Sequence, residues 1–81
     1  MPRDLRSPRY QRLRTIVVSA RQAAGLSQTT VAGRLGRPQS YVADIERNER
    51  RIDVVEYLAL AEAIGFDPLS ALKDVMKEPM V

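Results

Sequence analysis

Ser27-Gln-Thr-Thr-Val-Ala-Gly-Arg-Leu-Gly36-Arg-Pro38-Gln-Ser-Tyr-Val-Ala-Asp-Ile-Glu-Arg-Asn48 holds two short apolar-periodic segments divided by a glycine, an arginine and a proline. Ser27 stands where a helix would begin, since its hydroxyl can accept an unpaired backbone N–H at Thr29 or Thr30. Val31, Ala32 and Leu35 then fall on one helical face. Gly33 costs about 1 kcal/mol relative to alanine and best suits a place where another backbone comes close. Gly36 ends this helix, because glycine takes up positive φ without a side-chain clash. The residue before a proline avoids helical backbone, and proline suits a first helical turn, so a second helix is predicted over about Pro38–Arg47. Tyr41 or Val42 would point inward with Ile45, leaving Gln39, Ser40, Ala43, Asp44 and Arg47 outward. Asn48 can take the left-handed conformation that stops the helix.

Upstream, Leu13, Ile16, Val17, Ala20 and Ala24 recur at spacings of three and four, which predicts a helix from about Arg9 that Gly25 terminates. Leu26 can fold back on its last turn. Residues 1–8, with two prolines and little apolar content, read as a flexible arm made basic by Arg3 and Arg6. Downstream, Asp53 can cap a helix over Val54–Ile64 whose expected buried face is Val55, Leu58, Ala61 and Ile64, with Gly65 as terminator. Asp67 and Pro68 open a fifth helix lined by Leu69, Leu72 and Met76, which should end before Pro79 and leave 79–81 as a tail. No strand is needed. The expectation is one all-α domain of five short helices over residues 9–78.

Eighty-one residues support a single small core. The absence of cysteine and histidine removes disulfides, thiolate or imidazole metal sites and histidine-dependent triads. Neither a metal nor another cofactor is expected, and an enzyme is the weakest reading, since Asp44, Glu46 and Glu49 do not converge on one point of a helix surface. No apolar run approaches the roughly 20 residues of a membrane span, and Met1–Tyr10 is too polar for a secretory signal, so a cytoplasmic location away from membranes is expected. Charge is unevenly divided. Residues 1–51 hold eleven arginines against Asp4, Asp44, Glu46 and Glu49, a net +7, whereas residues 52–81 carry a net −4. Such polarity suits a front that meets a polyanion.

Two short helices joined by a tight turn fit a helix-turn-helix, whose second helix can enter a major groove about 12 Å wide. The fragments Arg21-Gln-Ala-Ala-Gly-Leu-Ser-Gln28, Val31-Ala-Gly-Arg-Leu-Gly36, Gln39-Ser-Tyr-Val42, Ile45-Glu-Arg47 and Leu58 to Gly65 stand at the right mutual spacing. Over about Leu13–Leu72 the chain resembles the Cro and phage-repressor class of helix-turn-helix regulators, also called the xenobiotic-response-element (XRE) class. The resemblance implies a compact, five-helix repressor-like fold and a transcriptional regulator binding double-stranded DNA, usually as a homodimer on a palindromic operator.

It also implies site roles. Gln39, Ser40 and Asp44 fall at base-reading positions, with Ala43 on the same outward face. Glutamine can pair bidentately with the N6 and N7 edge of adenine, whereas the Ser40 hydroxyl serves bases or phosphate alike. Asp44 departs from the usual basic or amide residue: it can accept from cytosine N4, reject wrong sites, or pair with Arg47 and touch no DNA. Gln28, Arg37, Arg47, Arg50 and Arg51 are expected on phosphates. Arg21 and Glu46 are expected to form a partly buried salt bridge between the first helix and the recognition helix. Thr30 departs from the Glu or Gln that would complete a capping box with Ser27. Arg3 and Arg6 can enter a minor groove or stay unbound. Leu69, Leu72, Val75, Met76 and Met80 exceed what a small core requires and are the expected dimer surface. No small-molecule ligand is expected. The competing reading is an antitoxin or adaptor that uses the same fold to grip a protein partner.

Overall fold

Helix starts are set by side chains that take up orphan N–H groups. The computed structural model describes residues 6–80, and these form α1 (Pro8–Ala23), α2 (Gln28–Leu35), α3 (Gln39–Glu46), α4 (Val54–Ile64) and α5 (Pro68–Met76). Ser7 caps α1 by accepting from Tyr10 N–H, so Ser7 and Pro8 belong to the helix and not to an arm. Met1–Leu5, and with them Arg3, lie outside the described residues. Ser27 accepts from Thr30 N–H, and the two hydroxyls bond at 2.9 Å where a capping box would have placed a longer side chain. Asp53 and Glu56 form a full reciprocal capping box on α4. Pro38 departs from its expected place. With ψ 156 it is the extended residue before α3, and its ring offers no acceptor, so α3 starts without a side-chain cap.

The ends are closed by left-handed residues. Gly36 has φ 67, and the following Arg37 N–H reaches back to the Ala32 carbonyl at 2.9 Å. Asn48, with φ 63, does the same for α3, as Glu49 N–H bonds the Asp44 carbonyl at 2.8 Å. This geometry leaves only Gly36, Arg37 and Pro38 between α2 and α3.

The core is drawn from four helices: Val17, Val31, Val42, Ile45 and Leu60 are all essentially inaccessible. Leu26, Leu35, Ile52 and Phe66 pack around them. α2 and α3 pack on each other, α4 supports α2, and α1 runs beneath α3, α4 and α5. Three expectations are corrected here. The buried face of α4 is Tyr57, Leu60, Ala61 and Ile64, while Val55 and Leu58 are 75% and 43% exposed. The segment is apolar nearly all round, so periodicity alone does not choose a face. The aromatic ring decides it: Tyr57 packs 5.9 Å from Phe66, and its hydroxyl donates to the Pro68 carbonyl at 2.7 Å. Gly33 faces open space, with no neighbouring backbone close to it. Ala24, placed on the inner stripe of α1 by its spacing, is the exposed residue that caps α1.

Three arginines bind helix ends far away in sequence. Arg14 donates to the Glu46 carbonyl at the end of α3, Arg34 to the Ala63 carbonyl of α4, and Arg9 to the Met76 and Glu78 carbonyls at the end of α5. Cations at C-terminal carbonyls are favoured by the helix dipole. Part of the basic excess in the first half therefore holds helices together. Among the described residues no helix is long and apolar enough to cross a membrane.

Candidate nucleic-acid interface

The outer side of α3 presents Gln39 and Ser40 exposed at its start and Arg47 exposed at its end, with Asp44 half-buried between them. Ser40, Asp44 and Arg47 fall at helical spacings of four and three and so share one stripe. Ala43 does not join them. It is buried, because α3 packs against both α1 and α2 and its inner face is wide enough to take in Tyr41, Val42, Ala43 and Ile45 together. Its expected place among the base-facing residues is corrected accordingly.

Behind the exposed start of α3 runs a chain of polar side chains. Glu46 receives Arg21 side-on, through Nε at 2.6 Å and Nη2 at 2.9 Å. The remaining Arg21 Nη1 donates to the Leu26 carbonyl at 2.8 Å. The hydrogen bond that Glu46 accepts is the main cause that holds the Arg21 guanidinium above its ordinary range, outweighing burial, which acts the other way. Gln28 extends the chain by donating Nε2 to Glu46 Oε1 at 2.9 Å, and its own Oε1 accepts from Gln39 Nε2 at 2.6 Å. Among the described residues the Gln39 carbonyl oxygen accepts no hydrogen bond, and one of its amide hydrogens remains. Those two groups form the donor–acceptor pair that fits the N6 and N7 edge of adenine.

The arginines separate into kinds. Arg47 donates through Nη2 to Asp44 at 2.5 Å and through Nε to Glu49 at 3.4 Å. Arg50, expected on phosphate, is committed elsewhere: it pairs with Glu56 at 2.6 Å and lies over the Tyr41 ring at 4.7 Å. Arg37 also lies over Tyr41, at 4.6 Å, with an exposed side chain. Arg51 is exposed and makes no ion pair among the described residues. Glu56 gathers this corner. Burial alone would raise its carboxyl, but the Asp53 N–H, the Arg50 guanidinium and the Tyr41 hydroxyl hold it below the ordinary value. Burial, with Glu56 beside it, pushes the Tyr41 phenol up.

This arrangement has counterparts. Residues 11–72 match the family described as helix-turn-helix domain, which is most of the chain. The chain belongs to the XRE-type helix-turn-helix family. An XRE-family-like protein from Pseudomonas syringae pv. tomato is 45% identical, with 85% of this chain and 84% of that one covered and a TM-score of 0.81. The restriction-modification controller protein C.AhdI from Aeromonas hydrophila is 36% identical over 73% of this chain and 86% of its own, with a TM-score of 0.66. The controller C.Esp1396I shares the fold, with a TM-score of 0.73 at 17% identity, covering 82% of this chain and 87% of that one. No curated protein matches the chain.

In this XRE-type domain the turn lifts α3 outward while α1 and α2 hold it from behind, the geometry of a DNA-binding helix-turn-helix. Sequence reasoning found the Arg21–Glu46 pair. It missed the roles of Arg9, Arg14, Arg34 and Glu56. The capping box at Asp53-Val-Val-Glu56 was there to be found in the sequence, since Asp followed three residues later by Glu is its pattern. The arginines' carbonyl acceptors have no sequence signal. Tyr10, which accepts the Ile52 N–H and so ties α1 to the loop before α4, has none either.

Proposed function

We propose that this helix-turn-helix regulator binds double-stranded DNA sequence-specifically, with α3 in the major groove and two copies on a palindromic operator. The observation that carries this reading is the state of Gln39, exposed at the first turn of α3 and braced by Gln28, so that its amide is presented in one orientation before DNA arrives. Ser40 beside it meets a base or a phosphate. Gln28, through the backbone N–H groups opening α2, together with Arg37 and Arg51, contacts the strands on either side. Arg50 acts through Tyr41 and Glu56 to hold the loop that carries Arg51.

Size and surface support two-fold assembly. One copy measures 33 × 28 × 20 Å, enough for one half-site, whereas half-sites are about 34 Å apart. Leu69, Leu72, Met76 and Met80 are exposed, and Val75 is half-buried between them. Val54, Val55 and Leu58 of α4 extend that surface. Between the two helices lies an apolar groove of about 160 Å³ lined by Leu13, Ile52, Val54, Tyr57, Leu58 and Leu72. A second copy covers this face, since exposed apolar patches of this kind mark interaction surfaces. An adaptor would use the same face for another protein.

Selection of bound sites from a random duplex library tests the proposal. A palindromic consensus supports both recognition and two-fold assembly. Indifference to every duplex at low ionic strength refutes the DNA reading and leaves the adaptor.

A further inference from the structure

The Asp44–Arg47 ion pair on the outer stripe of α3 joins two residues of a single helix end, and their side chains are 40% and 58% exposed. Yet the contact is close, 2.5 Å from Arg47 Nη2 to Asp44 Oδ1. Long side chains on a helix lean toward its N-terminus, so Arg47 lies back along the stripe over Asp44 and toward Ser40. That places the guanidinium nearer the base-facing part of α3 than its position at the helix end suggests.

We propose that Asp44 is a positioning residue that presents Arg47 to a guanine in each half-site, an assignment that rests on the DNA-binding reading above. A carboxylate facing the groove is repelled by the phosphates unless its charge is answered. Arg47 answers it. Were Arg47 to swing out to a phosphate, Asp44 would be left unpaired in the most negative part of the complex, beside Glu49. Held where it is, Arg47 has given one N–H to Asp44 and one to Glu49, and Nη1 bonds to nothing among the described residues. The hydrogens that remain can donate to two acceptors side by side. In the major groove only guanine offers such a pair, O6 and N7, whereas adenine places a donor beside its N7. Asp44 also penalises guanidinium orientations that break its own bond, which is what turns a mobile cation into a reader.

The test is site selection and competition binding with the full chain and with the variants Asp44→Asn and Arg47→Ala. Asp44 is half-buried and Arg47 exposed, and unchanged circular dichroism will show that the variants fold. The native consensus should hold a guanine at a fixed place in each half-site, separate from the adenine assigned to Gln39. Arg47→Ala should lose discrimination for that guanine by about tenfold or more. Asp44→Asn should lose most of the same preference while leaving the Gln39 position untouched. The proposal is overturned if Asp44→Asn tightens binding to all duplexes alike with the consensus intact. It is equally overturned if Arg47→Ala weakens all sequences together and lowers the salt slope by about one, as a phosphate contact would. A native protein with no consensus at all would bring down the DNA reading and this assignment with it, whereas an unaltered consensus in both variants sinks this assignment alone.

Discussion

Arg21 and Glu46 are 13% and 8% exposed at their side chains, and each satisfies the other through two hydrogen bonds. Removing one partner strands a charge among helices, and Arg21→Met should lower the unfolding free energy by about 3–5 kcal/mol in a urea titration. An equal loss in a surface control such as Lys73→Met would show that the pair contributes nothing special. Gln39 answers to a different measurement. Gln39→Ala should leave stability within experimental scatter but lose about 1–3 kcal/mol of discrimination at one base pair per half-site. Gln28→Ala should relax the same base pair, because the amide that orients Gln39 is gone. Relaxation at some other position would break the link between these two glutamines.

Among the elements, α4 is held in part by a carboxylate whose ionisation bears on stability. Glu56 is held below its ordinary value of 4.5, so its contribution to folding is complete above that pH and is lost as pH falls through the lower, folded-state value. Acid unfolding of the native chain should therefore steepen below about pH 4.5, and Glu56→Gln should flatten that limb. A parallel pair of curves would remove Glu56 from the account. Gly36 sets the other element-scale limit. With φ 67 between α2 and α3, Gly36→Ala should cost about 1–2 kcal/mol from backbone strain alone, since open space around it rules out a clash. Local chemistry made these features legible in the sequence: Gly36, Asn48, Ser27, Asp53 and Asp67 act on backbone groups a few residues away, and all sit at helix ends as expected. The inner face of α4 was not legible, because Val54-Val-Glu-Tyr-Leu-Ala-Leu gives apolar residues on every side. Position 43 failed for a related reason, since an alanine fits either face and packing alone chooses.

For the molecule as a whole, allocation of charge is what the sequence left open. Eleven arginines announce a polyanion partner, but Arg34 and Arg9 are taken by carbonyls 29 and 69 residues away, and no pattern of neighbours reveals such a destination. The apolar face of α4 and α5 carries the last expectation. Val55→Glu with Leu69→Glu should leave the fold intact, shift sedimentation to the monomer and weaken operator binding steeply through loss of avidity. A native chain that already sediments as a monomer at micromolar concentration would remove the basis for that experiment. The row of side chains from Arg21 through Glu46 and Gln28 to Gln39 also bears on how such a regulator changes over generations. On the proposed reading, the tip that addresses a target is an outgrowth of the interior, so a lineage acquiring a new target at position 39 inherits an orphaned amide at position 28. Drift toward new operators should accordingly move these two positions together, while the ion pair at the root stays as it is.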